Sequence, residues 1–316
     1  MPSPDLRVVR TAHELFFAAL ARNATGLEPW VTERLTSELE DQDVEAGKRI
    51  YAAGEEVDFI YYMREGRIRV LREGASSWTF EGRWALGGFD AALDRPHTRT
   101  AVALTNLHLM KVRADLWFEL LEDSFELARA VVSNSARSTA ALEAKAWASE
   151  SKPKAEAIVT VPPGDRPLTF LDRLALLTEV AQVRGAGVQV LANLAGLMED
   201  VTFEAGEPIF PSAKGTGRSL IVIDGEVLGV HADSGLTVSF GPGTSVCGAA
   251  PLGESEQSWR AHALTRTRTL SLAVEDWLDL MEEHFDLVRS AVAGLALARE
   301  RCLDTLAAKT GDVVLR

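Results

Sequence analysis

Hydrophobic positions along this chain follow two rhythms, and the pair of rhythms occurs twice. Short apolar stretches punctuated by glycine, FIYYMREG, RIRVLREG, LIVIDGEV and LTVSFGPG, have the spacing of β-strands joined by tight turns. Between and after them the period lengthens. In RADLWFELLEDSFELARAVVSNSARSTAALEAKAWASE, the residues Leu116, Leu120, Leu121, Phe125, Leu127 and Val131 recur close to 3.6 spacing and predict a helix over 115–150. The same pattern predicts helix at 275–308, and helical pattern precedes each strand region, at 12–22 and 28–39 and again at 168–198.

The recurrence extends to individual residues. Setting EAGKRIYAAGEEVDFIYYMREGRIRV (45–70) against EAGEPIFPSAKGTGRSLIVIDGEVLGV (204–230) matches Gly47 with Gly206, Ile50 with Ile209 and Gly66 with Gly225, each pair 159 apart. Further on, Trp117 matches Trp277, Phe125 matches Phe285 and Arg129 matches Arg289, each 160 apart. A repeat this long means two copies of a domain, not a solenoid. Many short strands with turn residues and flanking helices predict a mainly β chain of two tandem jelly-roll domains. SESKPKAEAIVTVPPGDRP, where Pro153, Pro162, Pro163 and Pro167 interrupt any helix, reads as the linker. The expected organisation is an N-terminal helical arm at 1–35, a first domain with its helix at 36–150, a linker and helix at 151–184, and a second domain at 185–316.

Composition narrows the function classes. With 316 residues, 47% hydrophobic and 25% charged, the chain has room for two ordinary cores. A net charge of −13 argues against a nucleic-acid partner, since such proteins carry a basic footprint. The one basic stretch, LTRTRTLSL, reads as a strand with arginines on its solvent face. No apolar run is long enough for a membrane span, and the N-terminus lacks the pattern of a signal peptide. Two cysteines, Cys247 and Cys302, make neither a disulfide framework nor a zinc site. A cytoplasmic location is expected.

At this point the residues resemble a known family. AAGEEVDFIYYMREGRIRVL is similar to the early strands of a cyclic-nucleotide-binding domain, and the second copy repeats the pattern and adds FGPG, the turn before that family's phosphate cassette. A tandem pair of such domains is also the arrangement in the regulatory subunit of cyclic-AMP-dependent kinase. The resemblance implies a cassette in which a Gly-Glu pair opens a short helix toward the cyclic phosphate, the Glu holds the ribose, and an Arg after a proline pairs with the phosphate.

Both cassettes depart from that pattern. In ALGGFDAALDRPHTRTAVAL, Gly88 precedes Phe89–Asp90, which stand for the Gly-Glu pair. Pro96 falls on the family proline, His97 on the phosphate arginine, and Arg99, two positions on past Thr98, on a small residue. Gly88, Asp90, His97, Thr98 and Arg99 are therefore the candidate ligand residues of the first domain. Arg99 with His97 could grip an anion in a different pose, more firmly as pH falls through the range near about 6.5; or Arg99 pairs with Asp90 or Asp94 and closes the pocket. In VCGAAPLGESEQSWRAHAL the glycine survives as Gly248, but Ala249 replaces the Glu, Gln257 the phosphate arginine, and Trp259 the small residue. That second cassette is degenerate.

No enzyme is expected. The six histidines, at 13, 97, 108, 231, 262 and 284, offer no strand pair at i, i+2 for a metal, and neither a nucleophile elbow nor a phosphate-cradling loop is present. Cys247, at the start of a cassette, reads as a buried structural thiol or as one activated by its position. The last helix carries apolar positions for packing and is not expected to read DNA. The expectation is a regulatory or scaffold protein that acts through a protein partner, without cofactor and without membrane. The alternative is a sensor binding a cyclic mono- or dinucleotide in domain 1. A homodimer seamed by helix 125–150 is a third reading.

Overall fold

The computed structural model describes residues 29–150, 153–161 and 166–315; the helical pattern at 12–22 lies outside them. The chain divides into two compact units, one of residues up to Asn134 together with Leu303 onward, the other Ser135–Cys302. Among the described residues no helix is long and apolar enough to cross a membrane.

The first repeat runs α1 (Pro29–Glu38), β1 (Glu40–Val44), β2 (Arg49–Tyr51), β3 (Phe59–Met63), β4 (Arg67–Leu71), β5 (Ser77–Glu81), β6 (Trp84–Leu86), α2 (Gly88–Ala92), β7 (Thr100–Ala103) and β8 (Leu107–Arg113), then α3 (Ala114–Asp123) and α4 (Phe125–Ala148). The second runs α5 (Phe170–Glu179), α6 (Val188–Leu197), β9 (Glu199–Phe203), β10 (Pro208–Phe210), β11 (Arg218–Asp224), β12 (Val227–His231), β13 (Thr237–Phe240), β14 (Trp259–Ala263) and β15 (Thr267–Ala273), then α7 (Val274–Glu283), α8 (Phe285–Thr310) and a last strand, β16 (Asp312–Leu315).

In the first unit the strands form two sheets, ordered β1-β8-β3-β6 and β16-β5-β4-β7-β2. Alternating burial along β4, with Ile68 and Val70 inside, turns one face of its sheet to the core. The second unit repeats the pairings as β11-β15-β9 and β10-β14-β12-β13. The place of β6 is taken by a single antiparallel bridge, Ile221 to Ser245. Two sheets with helices around them, built twice, are the tandem jelly rolls that the pattern predicts. Gly66 and Gly225 show why the repeat keeps its turn glycines. Both have positive φ, 107° and 91°, and a Cβ at either would overlap residues of the facing turn.

The helix expected over 115–150 is two helices. Ser124 between α3 and α4 is extended (φ −135°), and its hydroxyl accepts from the Leu127 N–H at 3.4 Å. His284 makes the same break between α7 and α8 (φ −136°). The pattern at 168–198 likewise divides: a capping box of Thr169 and Asp172 starts α5, and turns separate it from α6. Of the arginines in the basic strand, Arg266 is exposed, but Arg268 is only 12% exposed and faces Asp200 at 3.8 Å.

A second recurrence follows each long helix. In the first unit β16 lies parallel to β5, with Val314 opposite Thr79. In the second, Lys154 just past α4 bridges in parallel to Ser239 of β13. The partners in the two pairings are again 160 apart, so each repeat's helix ends in a segment laid along the fifth strand of a sandwich. The unit boundary falls inside α4 and α8, so the tail of α8 and β16 belong to the first unit and the tail of α4 to the second.

Candidate functional site

The first cassette lies between β6 and β7, where α2 opens at Gly88 behind Gly87, which has φ 83°. Asp90, in the first turn of this helix, points back onto its own loop. Its carboxylate accepts from the Thr98 N–H at 3.1 Å, from the Thr98 hydroxyl at 3.0 Å and from Arg95 Nε at 2.8 Å. Burial pulls the Asp90 pKa up, but the contacts from His97, Arg95 and Thr98 outweigh it and hold it below the ordinary carboxylate value. The imidazole of His97 is buried, stacked on Tyr51 with ring centres 3.7 Å apart and with Nδ1 3.7 Å from Asp90. Tyr51 in turn has its pKa raised, by burial first and then by the Asp90 charge.

Arg99, buried at 2% exposure, has other neighbours. Its guanidinium lies 3.6 Å over the Trp78 ring. Nη1 donates to the Ser76 carbonyl at 3.3 Å, and Nη2 meets the carboxylate of Asp304. The other oxygen of Asp304 accepts from Arg72 at 3.1 Å. Sequence proximity suggested Asp90 or Asp94 as the acid for Arg99. The carboxylate it meets comes from 205 residues away, at the end of α8. Of the five candidates, Asp90, His97 and Thr98 form one cluster, Gly88 opens the helix that carries Asp90, and Arg99 joins Asp304, Arg72 and Trp78.

The second cassette has turns where the first has a helix, in keeping with Pro251, followed by a short 3-10 turn at Glu256–Ser258. A carboxylate reaches this one too. The Ala249 N–H donates to Glu143 of α4 at 3.0 Å, and a Cβ at Gly248, whose φ is 59°, would overlap that carboxyl group. Glu143 is half-buried as a residue, yet burial of its carboxyl pushes its pKa up to about 7, against the pull of the Ala249 N–H and of Arg301. Four residues along α4, Trp147 meets Trp259 at 5.8 Å and Phe240 at 5.7 Å, both edge-on. Gln257 is exposed and donates to the Glu254 carbonyl at 3.0 Å. Cys247 is buried, its pKa well above the thiol's ordinary value through burial and the nearby acids Glu143 and Glu256, so its position does not activate it.

The model of one family, the cyclic nucleotide-binding domain, matches residues 41–124. This stretch has the cyclic nucleotide-binding fold. No curated protein sequence matches the chain. Among solved structures, the regulatory subunit of a cAMP-independent protein kinase A from Trypanosoma brucei is 16% identical with a TM-score of 0.37, over 90% of this chain and 91% of that one. The Trypanosoma cruzi counterpart bound to guanosine is 16% identical with a TM-score of 0.36, over 89% and 87%. The sensor domain of the transcriptional regulator DNR from Pseudomonas aeruginosa is 20% identical with a TM-score of 0.35, over 38% and 86%.

In both cassettes, then, an acid of the chain itself stands against a donor: Asp304 against Arg99 in the first, Glu143 against the Ala249 N–H in the second. Sequence reasoning missed Arg72, Asp304, Glu143 and Trp147. The signal that could have found two of them is the repeat itself: with the long helices aligned at 160, Glu143 falls one position from Asp304.

Proposed function

We propose that this chain is a non-catalytic regulatory protein acting through protein contacts, in which the chain's own carboxylates take the place a cyclic nucleotide would have in each cassette. The observation that carries the reading is the meeting of Arg99, the buried cation of the first cassette, with Asp304. A buried guanidinium already matched by a carboxylate, with its face on Trp78, gains little from a second anion. In the second cassette the Ala249 N–H is taken by Glu143, and Trp147 and Trp259 fill the neighbouring space. Asp90, at the position that would hold a ribose, is turned to Thr98 and Arg95. Output then passes through the surfaces of the helices 115–150 and 275–308 to a protein partner.

A second reading, a cyclic-nucleotide sensor in the first domain through Asp90, His97 and Arg99, draws support from the charge buried at Arg99. Isothermal titration calorimetry of the unaltered chain against cyclic AMP, cyclic GMP and a cyclic dinucleotide, at pH 6 and pH 8, separates the two. The expected result is no heat of binding with any of them. Micromolar binding that disappears in Arg99→Ala would overturn the occupied-cassette reading and install the sensor.

A further inference from the structure

We propose that His108 is a pH-sensitive clasp on the edge strand β1: charged, it bridges Asp41 and Asp43 and holds β1 against β8, and on losing a proton it lets one of them go. The clasp lies outside both cassettes and is independent of what they hold.

The two sides of one ring carry the assignment. Nε2 of His108 lies 3.0 Å from Asp41, and Nδ1 lies 2.9 Å from Asp43. A carboxylate only accepts, so each ring nitrogen must donate, and a neutral imidazole has a single N–H to give. Acids at hydrogen-bond distance from both nitrogens therefore require the imidazolium. Strand register builds this arrangement. Asp43 pairs with His108 itself, and Asp41 pairs with Met110, the next position on the same face of β8. The bond to Asp43 is the largest influence raising the His108 pKa above its ordinary 6.5; burial opposes it and Asp41 adds to it.

The second unit has a cation at the same place. Asp41 corresponds to Asp200, 159 positions on, and His108 to Arg268, 160 positions on. The registers agree, since Asp200 pairs with Leu270 as Asp41 pairs with Met110. There the Arg268 guanidinium faces Asp200 at 3.8 Å. One repeat thus carries a permanent charge at this position, and the other carries one that titrates near neutrality.

Other charged groups around β8 have different partners. On its far side β3 sets Tyr62 opposite Met110, and burial raises that phenol above its ordinary 10, so it stays neutral near pH 7. The helices α1 and α3 also pack on β8, and Arg34 of α1 pairs with Glu119 at 2.9 Å and Asp123 at 3.4 Å, both of α3. The start of β1 has its own tie, Glu40 to Lys111 at 3.0 Å, so the clasp acts on residues 41–44. Because the folded-state pKa of His108 is raised, its stabilisation is complete below about pH 6.5 and is lost as pH climbs through the higher folded value. With 57% of the side chain exposed, the effect is local and modest.

The test uses the full chain between pH 5.5 and 9 and follows two signals. One is the protonation of the His108 ring by NMR; the other is hydrogen exchange of the β1 amides, expressed as protection relative to the unstructured rate at each pH. His108 is expected to titrate above 6.5, and β1 protection to fall by about threefold across that same titration. His108→Gln gives low protection with no such fall. His108→Arg, the cation of the second unit, keeps protection high throughout. Asp43→Asn brings the ring titration back toward 6.5. The ring titration needs no variant, so it decides even where a substitution disturbs folding. A ring that titrates at or below 6.5 overturns the proposal, and so does a fall in protection that persists in His108→Gln or His108→Arg.

Discussion

Glu143 shows what one buried acid does to a cassette. Its carboxyl group titrates near neutrality because burial opposes its charge more than the Ala249 N–H and Arg301 support it. A folded-state pKa above the ordinary 4.5 means that, between about pH 4.5 and 7, the folded chain holds a proton that the unfolded chain releases. Stability from this group is therefore present at low pH and lost as pH rises through that window. Glu143→Gln keeps an acceptor for the Ala249 N–H without the charge. It is expected to raise the melting temperature at pH 8 by about 2 °C or more and to leave it little changed at pH 5, as differential scanning calorimetry would record. Equal melting temperatures at pH 8 would mean that the charge costs nothing there. The sequence made Asp90, His97 and Arg99 visible because a family pattern marks their positions. Asp304 and Glu143 were hidden because an acid on a long helix looks like any solvated charge until the fold brings it to a cassette.

At the scale of elements, the strands and the paired turns were legible because each rests on local pattern: period-two alternation, and glycines that only a positive φ explains. The helix breaks at Ser124 and His284 were not, since the apolar spacing runs on through both positions and only the backbone changes. Strand β16 was not legible either. Four residues, DVVL, carry little strand signal, and they form a strand because the outer edge of β5 offers hydrogen bonds and because Val313 and Leu315 find the core there. Replacing the buried Leu315 with Asp should detach this strand. Hydrogen exchange of the β5 amides is then expected to quicken by about tenfold or more while the amides of β3 and β8 keep their protection. Unchanged exchange in β5 would show that β16 contributes nothing to holding that edge.

For the whole molecule, the repeat and the compact unit are not the same stretch of chain. The sequence repeat ends with its long helix, whereas the first unit draws on residues 303–316 and the second on the tail of α4. A fragment of residues 1–150 would thus carry the first repeat without Asp304 and β16. It is expected to melt well below the first unit of the full chain, and a synthetic peptide of residues 303–315 should raise its melting temperature in a concentration-dependent way. A fragment indifferent to the peptide would show that the first unit is complete without it.

Thr79 and Val314 lie opposite one another although 235 positions separate them, and that separation becomes a delay when the chain is made. At about 5 to 20 residues per second, roughly 10 to 40 seconds pass between the emergence of the first unit's own strands and that of the strand that covers β5. Throughout that interval the nascent first unit presents a bare sheet edge along β5, which makes it a natural client for chaperones at the ribosome.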